Sequence, residues 1–225
     1  MVTRSKPNSD VRDEILASIQ KSLRRGQALE STIQEGLRIR MSAHGAHIQP
    51  KLGRNSAALF VKKLKAADAI VSEIQSVRSV AAAVSRFLED NGLSPHIVTS
   101  SDPLIARIKW PKSIKAAQRV ARPRDHTSVT SAVCGVAETG TVVLVSSNQT
   151  PTTLNFLPEN HIVILRKSQI LSHFEQAWQL LREKYPQWVR TVNLISAPSK
   201  TADVEQTIQL GVHGPRQLMV VLVGA

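Results

Sequence analysis

Apolar positions follow two different rhythms along this chain of 225 residues. Near the start, Val11, Ile15, Leu16, Ile19 and Leu23 recur at helical spacing, with acids ahead of them and bases behind. That pattern predicts an amphipathic helix over 10–24, stopped at Gly26. Residues 40–55 hold His44, Gly45, His47, Pro50 and Gly53 and read as a loop. Short helices are expected at 56–65 and 77–90, the second closed by Asn91-Gly92, with short strands at 69–71 and 96–99.

The second half changes period. Residues 141–146, 161–165, 192–195 and 218–223 are continuous β-branched or aliphatic runs, without the alternation of a strand wet on one face. Such runs predict strands covered on both sides. Between two of them, Ile170, Leu171, Phe174, Ala177, Trp178 and Leu181 mark one face of a helix over 168–184. Strands alternating with helices predict an α/β fold, a mostly parallel sheet flanked by helices. The expected organisation is an N-terminal helix and loop segment, 1–55, followed by an α/β domain, 56–225.

Composition narrows the function. Aromatic residues are only 4%, so aliphatic side chains must fill the core. No run of 18 apolar residues exists, which excludes a membrane-spanning helix, and the first thirty residues lack the apolar stretch of a signal peptide. Cys134 is the single cysteine, so this chain cannot hold an iron–sulfur cluster or a cysteine-rich zinc site. A cytoplasmic location is the simplest expectation. The net charge of +12 is uneven: 107–124 carries seven Lys or Arg and no acid. Lys112, Lys115, Arg119 and Arg122 would share one face of a helix between Pro111 and Pro123. Such a face suits phosphates or an acidic partner, or is simply solvated; without interleaved aromatics, nucleic acid is not favoured.

Three polar segments carry candidate chemistry. In Glu138-Thr139-Gly140-Thr141, a glycine before a buried strand lets the backbone approach a ligand, and the carboxylate can act as base or nucleophile. The competing role for Glu138 is a helix cap or an arginine pair. The loop Ser196–Glu205 follows a strand and is expected to open a short helix, where Ser199 or Thr201 caps and Lys200 attracts an anion. Asp203 and Glu205 would complement the same helix end. In Gly211-Val-His-Gly-Pro215, His213 is either an acid–base group or a turn histidine. No metal site is expected: His44 and His47 lie three apart with no third ligand in view.

Taken in order, Glu138–Thr141, Leu157-Pro-Glu-Asn-His-Ile162 and the 198–215 stretch resemble the LUD-domain family, most closely its lactate utilization protein C branch. The resemblance implies a fold akin to sugar-phosphate isomerases and coenzyme A transferases. It also implies a role in a system oxidising L-lactate to pyruvate, whose iron–sulfur clusters sit in cysteine-rich companion proteins. This chain would be the cluster-free accessory subunit, binding a small anionic metabolite and carrying no cofactor. The expected pocket is lined by Glu138, Thr139, Gly140, Thr141, Ser199, Lys200, Thr201, Asp203, His213 and Gly214, with Glu138 and His213 as candidate catalytic groups. One alternative is a stand-alone transferase- or isomerase-like enzyme using Glu138. Another is a binder of nucleic acid or an acidic partner through Lys112–Arg122.

Overall fold

The computed structural model describes residues 8–23, 31–42, 49–187, 189–201 and 209–224. Two units are distinguished, 1–49 and 50–225. Among its described residues the first contains helices α1 (Asn8–Ser22) and α2 (Ser31–Ser42). α1 follows the stripe read from the sequence; α2 is not among the elements expected from it.

The second unit runs α3 (Ser56–Ala66), β1 (Ile70–Ile74), α4 (Val80–Asp90), β2 (His96–Thr99), β3 (Lys115–Gln118), β4 (Thr127–Ser131), β5 (Cys134–Val136) and β6 (Thr141–Val145). It continues through α5 (Thr153–Phe156), β7 (Asn160–Arg166), β8 (Ile170–Leu171), α6 (Phe174–Lys184), β9 (Val192–Ile195), β10 (Lys200–Thr201), β11 (Gln209–Leu210) and β12 (Gln217–Val223). Six strands form one sheet in the order β1-β12-β7-β4-β2-β3, and every neighbouring pair in it is parallel. A smaller sheet, β8-β5-β6-β9, mixes one parallel and two antiparallel pairings.

The continuous apolar runs have a direct cause. Along β7, Ile162 and Ile164 enter a core with Val80, Val84 and Phe87 of α4. Val163 and Leu165 enter the opposite core, with Phe60 and Leu64 of α3 and Val142 and Leu144 of β6. β12 divides in the same way, Met219 and Val221 to one side, Leu218 and Val220 to the other. A strand between two cores needs apolar residues at both parities, so alternation vanishes. The far face of the small sheet closes a third core, where Cys134, Val136 and Val143 meet Ala177 and Leu181 of α6.

Two expectations are corrected. The basic segment is not a helix: Lys115–Gln118 is an edge strand paired with His96–Thr99. The open edge of β2 supplies backbone partners, and the Ala116-Ala117 pair offers no bulk to anchor a helix. Lys112, Lys115, Arg119 and Arg122 therefore do not share a helical face. Arg119 is instead committed to Asp125, donating Nη1 to Oδ2 at 2.6 Å and Nη2 to Oδ1 at 2.7 Å. Second, the helix expected over 168–184 covers only Phe174–Lys184, because Ile170 and Leu171 pair with Gly135 and Val136 as a strand. Lys200 and Thr201 pair antiparallel with Leu210 and Gln209, and the helix expected to follow them falls in 202–208, outside the described residues. Asp203 and Glu205, like His44 and His47, lie outside the described residues.

Candidate functional site

The turn joining β5 to β6 carries Glu138, Thr139 and Gly140. It is closed by the Gly140 amide donating to the Val136 carbonyl at 2.9 Å and held to the next element by the Glu138 amide donating to the Ser172 carbonyl at 3.1 Å. Gly140 has φ +71°, and a Cβ there would stand 2.7 Å from Lys63 Cβ and 2.8 Å from the Leu64 backbone nitrogen. The glycine thus serves the close approach of this turn to α3.

Antiparallel pairing of Val142 with Ile195 brings the start of β6 beside the end of β9. Three hydroxyls consequently line up: Thr139 Oγ1 is 2.6 Å from Thr141 Oγ1, which is 2.7 Å from Ser196 Oγ. The acid-bearing turn and the bend after β9 meet through this chain of hydroxyls. Ser196 then borders a cavity of about 220 Å³ whose polar lining also includes Ser199, His213 and Gly214, with His161 among the surrounding residues. The bend and the glycine-flanked turn that closes it are tied by backbone bonds, Ser199 N–H to the Pro215 carbonyl at 2.8 Å and Gly211 N–H to the Ser199 carbonyl at 3.0 Å.

The sequence-derived residues therefore divide into groups. Ser199, His213 and Gly214 converge on the cavity. Thr139 and Thr141 reach it only through Ser196, and neither they, Glu138 nor Gly140 line it. The Lys200 ammonium is paired with the Asp68 carboxylate. The backbone of Thr201 lies in β10.

His161, quoted in the sequence only as part of a motif, is fully buried on β7. Its Nε2 is 2.8 Å from Thr130 Oγ1, while its Nδ1 has no hydrogen-bond partner among the described residues. Burial disfavours the charged ring and pushes its pKa down to about 3, so it is neutral at physiological pH. A histidine directly before the aliphatic run Ile162–Leu165 was the available signal.

Glu138 turns the other way. Its Oε2 lies 3.2 Å from His173 Nδ1, at the start of α6. A separate, larger cleft of about 670 Å³ lies where β4 and β7 end, at Ser131 and Arg166. Arg107, Arg166 and Lys184 line it, and none of the three has an ion-pair partner among the described residues. The one acid among the described residues that line it, Asp102, is occupied by the Ser100 hydroxyl at 2.6 Å and the Leu104 amide at 3.0 Å. The carboxyl ends of parallel strands are where open α/β sheets take ligands. Periodicity could not reveal this cleft, because its cations come from three distant elements.

A parallel six-stranded α/β domain, with a second small sheet packed on one face, defines the class of protein. Residues 52–223 match the LUD domain family, and the chain belongs to it. Lactate utilization protein C of Bacillus subtilis (strain 168) is 33% identical over 118 residues, covering 51% of this chain and 47% of that protein. The protein of the same name from Anoxybacillus flavithermus is 35% identical over 103 residues, 46% of this chain and 44% of its own length. The chain thus spans about half the length of these curated relatives. YkgG of Escherichia coli K12 is 31% identical over 170 residues, 73% of this chain and 71% of that protein. A crystal structure of a DUF162 family protein from Deinococcus radiodurans aligns with a TM-score of 0.60 at 19% identity, covering 77% of this chain and all of that one, which is a likeness of fold. Among the described residues, no helix is long and apolar enough to cross a membrane.

Proposed function

We propose that the protein is a non-redox accessory component of an L-lactate utilization system, binding a small anionic metabolite in the cavity bounded by Ser196, Ser199, His213 and Gly214. The observation that carries the reading is convergence: the bend after β9 and the glycine-flanked turn before β12 bring two serines and a histidine to one cavity of about 220 Å³. A three-carbon hydroxy acid needs donors for a carboxylate and an acceptor for its hydroxyl. Serine offers both roles and His213 supplies one more donor. The names of the relatives favour the lactate context. Iron–sulfur companion proteins would carry the electrons, since one buried cysteine can hold no cluster.

The basic cleft favours a second reading, in which the anion sits among Arg107, Arg166 and Lys184. Calorimetric titration with L-lactate and with pyruvate separates the two. Under the first reading Ser199→Ala and His213→Gln weaken binding while Arg166→Gln does not. The reverse pattern places the anion in the cleft, and no heat from either acid with wild-type protein removes both.

A further inference from the structure

Glu138, His173 and Glu175 bring three metal-ligating side chains to one place from two segments that the sequence holds 35 positions apart. Their ligand atoms all lie within 4.8 Å of one another. We propose that they form a binding site for a divalent transition-metal ion, a site independent of the cavity between Ser196 and His213.

Two of the three ligands are held in place by main-chain bonds. Ala137 N–H donates to the Leu171 carbonyl at 2.8 Å and Glu138 N–H to the Ser172 carbonyl at 3.1 Å, which locks the β5–β6 turn against the segment leading into α6. The Gln176 side chain then accepts from both the Ser172 and His173 amides, at 2.8 and 3.1 Å, fixing the backbone from which the imidazole projects. Glu138 Oε2 and His173 Nδ1 end 3.2 Å apart. That is close to the spacing of two adjacent ligands each about 2.1 Å from one ion.

Glu175 is the third arm. Gln176 already serves the loop amides, so Glu175 is not required as their cap, and its carboxylate has no partner among the described residues. It is exposed, whereas the Glu138 and His173 side chains are about 26% and 13% exposed. A half-covered pair with one exposed carboxylate can meet an ion arriving from solvent. The N-terminus of α6 opposes a cation with roughly half a positive charge. Two carboxylates outweigh it.

Ligand chemistry selects the ion. One imidazole nitrogen with two carboxylates suits zinc or manganese; calcium and magnesium prefer all-oxygen sets. Three protein ligands leave at least one position for water, the pattern of an open site rather than a closed structural one. Glu138, which the cavity does not use, acquires a role here.

The test uses the full chain, stripped with EDTA and titrated separately with Zn²⁺ and Mn²⁺, with bound metal counted after gel filtration. The expected result is one ion per chain, bound at least roughly tenfold more weakly in Glu175→Gln, whose side chain is exposed and whose loss leaves the fold intact by circular dichroism. His173→Gln should abolish uptake, and Co²⁺ in place of Zn²⁺ should give visible absorption that His173→Gln loses and Glu175→Gln reaches only at higher Co²⁺. The double variant His44→Ala/His47→Ala should bind as wild type does. Absence of stoichiometric uptake, unchanged affinity in Glu175→Gln, or loss of binding only in the His44/His47 variant would each overturn the assignment. None of these readouts involves L-lactate, so the metabolite reading stands or falls separately.

Discussion

Replacing Gly140 by alanine should destabilise the α/β domain far more than replacing Gly92, although both glycines have positive φ. At Gly140 two costs add. A left-handed backbone costs an L-residue about 1–2 kcal/mol. The new methyl would also lie 2.7 Å from Lys63 Cβ and 2.8 Å from the Leu64 backbone nitrogen, inside α3, where no side-chain rotation relieves the contact. Overpacking of this kind costs about 1–3 kcal/mol more. The total is roughly 2–5 kcal/mol. Gly92, at φ +61°, closes α4 with nothing within 4 Å of the site of its missing Cβ, so only the conformational cost of about 1–2 kcal/mol applies. Urea unfolding followed by circular dichroism gives both values. Equal losses in the two variants would show that the β5–β6 turn does not press on α3, and the placement of Glu138 would go with it.

Three further outcomes follow from buried or paired groups. His161, held neutral with a pKa near 3, binds a proton in the unfolded chain below about pH 6.5 but not in the native one. Its contribution is therefore present above pH 6.5 and is lost at up to about 1.4 kcal/mol per pH unit on acidification; between pH 6.5 and 5, wild type should lose about 1.6 kcal/mol more than His161→Gln. Burial pushes the Cys134 thiol up to about 11, so a thiol reagent at pH 8 should label the native protein only as fast as it unfolds; immediate labelling would contradict its place in the third core. The Arg119 hydrogen bonds chiefly hold the Asp125 carboxyl below its usual pKa, and because the pair is partly exposed Asp125→Ala should cost only about 1 kcal/mol near pH 7. That difference should shrink as pH falls below the ordinary carboxylate range, and a constant difference would refute the ion pair.

The sequence was most informative where one physical pressure acted alone. β7 and β12 lie between two cores, so apolar residues at both parities announced them, and α4 showed its buried face through Val80, Val84, Phe87 and Leu88. It misled where pressures competed. Charges at helical spacing between Pro111 and Pro123 suggested a helix, but an unpaired sheet edge claimed Lys115–Gln118 as a strand. β4 is Thr-Ser-Val-Thr-Ser, polar by composition yet buried from Thr127 to Thr130, because Ser128 donates to the Leu154 carbonyl at 2.6 Å and Thr130 meets His161. Hydrogen bonds across 26 and 31 residues leave no local trace. The same holds for the candidate site: Ser199 and His213 were legible as polar residues on turns, whereas the Thr141–Ser196 contact and the Glu138–His173 pairing depend on sheet register.

Chemical-shift perturbation tests the metabolite cavity most directly. With uniformly ¹⁵N-labelled protein, addition of L-lactate should move the amides of Ser196, Ser199, His213 and Gly214 in a saturable manner and leave those of Arg107, Arg166 and Lys184 in place. Saturable shifts confined to the three basic residues, or no shifts at all at millimolar L-lactate, would contradict the account.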